Sequence, residues 1–339
     1  MPVFSDLIGQ EDIKARLRGF LDELTGHAFI FAGPEGIGRH VFAREFAAAL
    51  LCTADHDSRP CGKCRSCICL REGSHPDYTE LLPEKGSAVI KTDSVRRVLV
   101  GDINMMPQLS DRKVYFISAD HLNEQSQNVI LKTLEEPPEY AVIILSVTST
   151  AILLPTVLSR SVLLKFSRCS SEDILEIIAS KGYPVDGTSF FLADISEGIP
   201  GKALRMIKEE GLAELRTETA EITAALPEAG YKDLFVDIYP FFSDKKDSID
   251  DIILFMISWF RDAALLCDDR SSGSVVNRDL RSKIERFRER TGCGAVRYMN
   301  CVKICDKCAS DIGMNAAYEI NICSMLLKLR KELTSGCPK

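Results

Sequence analysis

Thirteen cysteines are spread through this chain, and four of them are spaced so that they could hold a metal ion. Cys61-Gly62-Lys63-Cys64-Arg65-Ser66-Cys67 is a C-x-x-C-x-x-C array, and Cys52 lies upstream of it. In C-x-x-C one tight turn presents two sulfurs, and four thiolates suit a closed tetrahedral Zn2+ site. Cys69 is close enough in sequence to compete as a ligand. Iron–sulfur clusters and redox pairs use similar spacings. The turn residues Gly62-Lys63, and an insertion placed between a helix and a strand, favour structural zinc. Cys301, Cys305 and Cys308 stand at i, i+4 and i+7, one face of a helix, and read as core packing.

A second constellation is Gly33-Pro-Glu-Gly36-Ile-Gly38-Arg39-His40. A phosphate loop needs glycines so that backbone N–H groups can converge on an anion at a helix N-terminus. It also needs a lysine for the phosphates and a Ser/Thr hydroxyl for Mg2+. Here Arg39 takes the lysine position and His40 the hydroxyl position. Arginine keeps the charge but is a larger planar fork, and histidine lacks the hard oxygen that Mg2+ prefers. The strand that should end in an acidic pair runs Val114-Tyr-Phe-Ile-Ser118-Ala119-Asp120, with Ser118 and Ala119 at the acidic positions. Asp120 alone cannot replace two carboxylates. Any nucleotide contact would fall to Gly33, Gly36, Gly38 and Arg39, and would be weak or lacking. The plainer reading of these glycines is a tight strand-to-helix turn.

The surrounding elements must position these residues. Ile13, Leu17, Leu21 and Leu24 recur at helical spacing, and Val41–Leu51 reads as a second helix. Phe29–Ala32, Val114–Ile117, Val142–Val147 and Val162–Phe166 are short apolar runs, as buried parallel strands should be. A helix before Pro137-Pro138 must stop there. Strands alternating with helices imply a parallel sheet covered on both faces. Beyond Phe166 strand signals fade. Residues 170–210 give three short helices broken at 182–184 and 198–201, and from about 212 onward only helices are expected. Ile249, Ile252, Ile253, Met256, Trp259, Phe260 and Ala263 mark the most amphipathic of them, Arg288-Glu289-Arg290 closes another, and 270–274 reads as a loop.

Composition fits this picture. The chain has 339 residues, 45% hydrophobic and 27% charged, which excludes disordered and collagenous classes. No apolar run reaches the roughly 18–20 residues that span a bilayer, and the N-terminus lacks the pattern of a signal peptide. The expectation is therefore a cytoplasmic protein without membrane partners, in which disulfides do not persist. The net charge of −7 leaves nucleic-acid contact to a local patch.

Several motifs now combine. Asn128-Val-Ile-Leu-Lys132-Thr-Leu134-Glu135-Glu136-Pro137-Pro138 resembles the central motif of clamp-loader AAA+ subunits. Leu154-Pro-Thr-Val-Leu-Ser159-Arg160-Ser161 resembles their serine-arginine-cysteine motif, with Ser161 for the cysteine. A cysteine knuckle followed by His75-Pro76-Asp77-Tyr78 is similar to the bacterial subunits. The segment from Met314-Asn315 to Leu327 is similar to the last helix of delta-prime subunits. In order, and over nearly the whole chain, these resemble the delta-prime branch of the bacterial DNA polymerase III clamp-loader family.

That resemblance implies an α/β AAA+ P-loop-type module over 1–168 with the knuckle at 52–67, a helical lid at 169–211 and an all-α collar at 212–339. It implies a DNA replication role without ATP hydrolysis of its own, in a pentamer that loads the sliding clamp onto primed DNA. The implied partners are gamma/tau and delta subunits, the beta clamp indirectly, and primer–template DNA. Arg160 would act as an arginine finger in the ATP site of a neighbour. Gly201 stands where ATPase relatives carry a sensor arginine, with Lys202 and Arg205 nearby. Lys132 and Glu135 read as packing and helix-capping residues. Two alternatives remain: an ATP-hydrolysing gamma/tau-like subunit, and a zinc-dependent DNA-binding protein.

Overall fold

In the computed structural model, which describes residues 3–23, 26–55, 58–84, 86–208, 211–268, 275–314 and 317–334, five strands form one parallel sheet. They are β1 (Ala28–Ala32), β2 (Tyr78–Leu81), β3 (Lys113–Ser118), β4 (Ala141–Val147) and β5 (Val162–Lys165). Their order is β2-β3-β4-β1-β5, with Phe29 opposite Ile144 and Ile30 opposite Leu163. Every residue of β1 and β4 is buried, because helices cover both faces of these central strands. Alternation along the strands sorts their side chains into two cores. Phe29, Phe31, Phe116 and Ile144 face α1 (Glu11–Glu23), α2 (Arg39–Leu51) and α3 (Arg65–Arg71). Ile30, Tyr115, Ile143 and Leu145 face α4 (Thr92–Arg96), α5 (Glu124–Glu135) and α6 (Pro155–Leu158). Between α4 and the loop before β3 the chain continues through a π-helical stretch, Arg97–Asp102.

Four strands were expected from apolar runs, and β2 is the addition. It lies at the sheet edge, pairs only with β3 and is mostly half-buried, so Tyr78-Thr-Glu-Leu81 never needed an apolar run. α5 begins where the Asn123 side chain accepts the Ser126 N–H, and it ends before Pro137 as anticipated.

The helices α7 (Ser171–Ser180), α8 (Gly187–Ile195) and α9 (Pro200–Ile207) follow the expected breaks. Pro200 itself opens α9, a position where its missing N–H has no intrahelical partner to lose. The described residues group into two compact units: one of 1–177 with 197–202, the other of 178–196 with 203–339.

The second unit is helical: α10 (Leu212–Ala225), α11 (Tyr231–Asp233), α12 (Tyr239–Asp244), α13 (Ile249–Leu265), α14 (Arg281–Thr291), α15 (Ala295–Gly313) and α16 (Tyr318–Thr334). The seven apolar positions anticipated on α13 are all buried. Trp259 meets Phe287 edge-on, with ring centroids 5.7 Å apart. Cys301, Cys305 and Cys308 are buried along one face of α15, as core residues. Within this unit Asp262 is fully buried and accepts the Val276 and Asn277 N–H groups. Among the described residues no helix is long and apolar enough to cross a membrane. The expected loop at 270–274 and Asn315 of the C-terminal motif lie outside the described residues.

Candidate functional site

In parallel α/β sheets, loops at the carboxyl ends of the strands carry the ligand sites, and the glycine loop lies there, after β1. The Gly33 N–H donates to the Val147 carbonyl (3.1 Å), tying the loop to the end of β4. Gly36 and Gly38 have φ of +80° and +107°, the left-handed region that favours glycine. The carbonyl of Gly36 accepts the Gly201 N–H at 2.9 Å. A Cβ at position 201 would stand 2.7 Å from the Gly36 Cα and 2.8 Å from its oxygen. The first turn of α9 thus meets the loop backbone to backbone. An arginine at 201 has no room in this arrangement.

The charged residues of the site are engaged with each other. The Arg39 guanidinium reaches Asp120 at 3.5 Å, with both side chains mostly buried. Asp120 also accepts the Thr148 N–H (2.8 Å) and hydroxyl (2.7 Å). The strand's one acid therefore balances Arg39 and fixes the end of β4. His40 Nε2 lies 3.0 Å from a Glu80 oxygen that also accepts the Tyr78 hydroxyl at 2.8 Å. Ala119 is fully buried, so its position offers neither a ligand nor access. The spacing identified these residues; their mutual pairing carried no sequence signal, because Arg39 and Asp120 are 81 positions apart.

The cysteines form a second centre. The sulfurs of Cys52, Cys61, Cys64 and Cys67 all lie within 4.8 Å of one another, and Cys69 is outside the group. Cys52 and Cys64 sulfurs are 3.9 Å apart; a tetrahedron with Zn–S near 2.3 Å has edges of about 3.8 Å. Backbone N–H groups of Cys61, Cys64 and Cys67 donate to the sulfurs of Cys52, Cys61 and Cys64 at 3.3–3.4 Å. Such donors favour thiolate over thiol. Burial pushes the Cys64 thiol up, but hydrogen bonds from the Cys67 and Thr53 backbone outweigh it and bring it down to about 6. Burial holds Cys67 well above the ordinary thiol range. The donor set and its spacing fit Zn2+, and Cys61 and Cys64 are the two members shifted toward thiolate.

Behind this cluster, a buried polar network explains the His75-Pro76-Asp77 motif. His75 Nδ1 accepts the Asp77 N–H at 3.0 Å, which leaves Nε2–H to donate to Ser66 Oγ at 2.8 Å. The Ser66 and Ser110 hydroxyls both donate to the Leu51 carbonyl, at 2.6 and 2.7 Å. Burial lowers the His75 pKa, keeping the ring neutral. The Asp77 carboxylate accepts the N–H groups of Gln108, Leu109 and Ser110 at 2.7, 2.8 and 2.9 Å. Despite its Ser-His-Asp composition the group is structural: Asp77 touches His75 through its backbone, and no member is exposed.

Arg160 lies between α6 and β5 and is exposed. Its Nη2 is 3.1 Å from Glu135 Oε1, and its Nη1 donates to the Thr156 carbonyl (3.2 Å) and Ser159 Oγ (3.4 Å). Glu135, read from the sequence as a packing or capping residue, instead extends from the end of α5 to this guanidinium. Ser161 Oγ is buried without a hydrogen-bond partner among the described residues.

Comparison with known proteins adds family information. Residues 9–170 match a family described as DNA polymerase III, delta subunit. DNA polymerase III subunit delta' of Pseudomonas aeruginosa is 36% identical over 198 residues, 58% of this chain and 60% of that protein. DNA polymerase III subunit tau/gamma of Haemophilus influenzae is 37% identical over 159 residues, 46% of this chain and 22% of that protein. The chain thus spans about three fifths of the delta' relative's length. A gamma subunit-related protein from Thermotoga maritima, of known structure, aligns with 94% of this chain and 99% of its own, at 17% identity and a TM-score of 0.40.

Proposed function

The chain belongs to the clamp-loader AAA+ family of DNA polymerase III, and from that premise we propose that it acts as a delta-prime subunit that does not hydrolyse ATP. In this reading it helps assemble the pentamer that loads the sliding clamp onto primed DNA. Its partners are gamma/tau and delta subunits, the beta clamp indirectly, and primer–template DNA inside the assembly. The module 1–168, lid 169–211 and collar 212–339 are the corresponding functional divisions.

The observation that carries the reading is the pairing of Arg39 with Asp120 beside the glycine loop. Phosphoryl transfer rests on positioning and on charge placed around the transferred group. Here Arg39 is committed to Asp120, and the Gly36 carbonyl is covered by Gly201. Gly33, Gly36, Gly38 and Arg39 keep the outline of a nucleotide site, without the lysine, hydroxyl and acidic pair that hydrolysis uses. Arg160 is the exception. Exposed at the module's surface, it would place a guanidinium beside the phosphates of a neighbour's ATP and stabilise transferred charge in trans. Cys52, Cys61, Cys64 and Cys67 would hold one Zn2+, which supplies a closed structural cross-link and no reaction.

The competing reading, an ATP-hydrolysing gamma/tau-like subunit, draws on the comparable identity to the tau/gamma relative. ATP turnover by the purified chain separates the two. The delta-prime reading expects none above background, and unchanged background in Gly38→Val. Rapid turnover that Gly38→Val abolishes would overturn it.

A further inference from the structure

We propose that Glu135 is a positioning residue for Arg160, holding its guanidinium ready for a neighbour's nucleotide; the inference rests on the trans-finger reading above. Glu135 and Glu136 stand at the C-terminal end of α5, where the helix dipole disfavours negative charge. An acid there does not serve the helix. Nor does the ion pair do much for folding, since Arg160 and Glu135 side chains are 38% and 53% exposed and water screens them. What the pair does is geometric. Arginine is long and rich in rotamers, and an unanchored one would be spread over many orientations.

Three partners hold it here: Glu135 Oε1 as an ion pair at 3.1 Å from Nη2, and the Thr156 carbonyl and Ser159 Oγ as acceptors for Nη1. Of the five guanidinium N–H groups, the hydrogen bonds use those on Nη1. Among the described residues the Nε–H makes no hydrogen bond, and it is left for phosphoryl oxygens. Glu135 is the single anion among these partners, and it comes from a different element than Arg160. It therefore sets the direction of the fork relative to the sheet, which Thr156 and Ser159, on the same short segment, cannot do.

The test uses the reconstituted complex with clamp and primed DNA, and reads steady-state ATP turnover with this subunit as wild type, Glu135→Ala, Glu135→Gln, Arg160→Ala or Glu135→Ala/Arg160→Ala. Size-exclusion chromatography first confirms that every variant assembles. Glu135→Ala is expected to lower kcat about three- to tenfold with KM for ATP unchanged, and Glu135→Gln less, because the amide still accepts a hydrogen bond. Arg160→Ala should lower it further. The double variant should match Arg160→Ala, since a residue acting only through the arginine has nothing left to position. Normal turnover in Glu135→Ala beside slow turnover in Arg160→Ala would overturn the positioning role and leave the finger standing. Normal turnover in Arg160→Ala would overturn both. A double variant slower than Arg160→Ala would show that Glu135 acts elsewhere.

Discussion

Asp77→Asn changes one oxygen to an amide nitrogen, yet it should destabilise the sheet-bearing unit severely. The carboxylate is 2% exposed, and it accepts three backbone N–H groups: Gln108 on Oδ1, and Leu109 and Ser110 on Oδ2. An asparagine places its single oxygen best where Oδ2 stands, keeping two acceptances. Its NH2 then faces the Gln108 N–H, donor against donor. One bond to a charged group is lost, worth about 1.5–3 kcal/mol, and the remaining two weaken to the neutral range of about 0.5–1.5 kcal/mol each. Relief from burying a charge offsets part of this, which leaves a net loss of about 2–4 kcal/mol. Native-state hydrogen exchange gives the local answer: amides of 108–110 should lose protection before the rest of the sheet. Urea unfolding followed by tyrosine fluorescence should show a lower midpoint with similar slope. A loss below about 0.5 kcal/mol, the range of ordinary surface changes, would refute the reasoning that this carboxylate clamps the 108–110 loop.

Three further outcomes follow from the same structure. Ser161→Cys removes a buried hydroxyl that has no partner among the described residues. A thiol packs as a small hydrophobe, so thermal stability should rise by about 1 kcal/mol, and a lower melting midpoint would contradict this. Burial first, and Asp6 second, raise the Glu45 pKa. The folded state then binds the proton more tightly than the unfolded chain. Stability from this group is fully present below its unfolded pKa and is lost as pH rises through the folded one. Glu45→Gln should therefore unfold later than wild type at pH 7.5 and show a smaller decline between pH 4.5 and 7.5; identical pH profiles would exclude it. Elemental analysis should find about one zinc per chain, retained in Cys69→Ser and lost in Cys64→Ser, and zinc lost in Cys69→Ser would replace Cys52 in the ligand set.

The sheet was readable where burial on both faces demanded continuous apolar runs, as in Phe29–Ala32 and Val142–Val147. It was unreadable at β2, where an edge position imposes little pattern on Tyr78-Thr-Glu-Leu81. The cysteine site was legible because its chemistry depends on short-range spacing. Only Cys52 against Cys69 needed the fold, since a loop between helix and knuckle decides which sulfur arrives. Glu135 was misread because the last turn of a helix gives no sign of a guanidinium 25 positions further on.

What the sequence determined by itself was everything set by local spacing: the alternation of strand and helix, the positions where helices break, the four thiols, and the replacement of lysine, hydroxyl and acidic pair around the glycine loop. Tertiary structure alone decided what those replacements do. Arg39 could have stayed free for an anion, but the parallel order of β1, β4 and β3 brings Asp120 to it. Gly201 could have been a neutral loss of an arginine, but it packs on Gly36 so closely that no side chain fits. Pairings of this kind join residues far apart in the chain, and their energies depend on distances that only the packed sheet and its covering helices create.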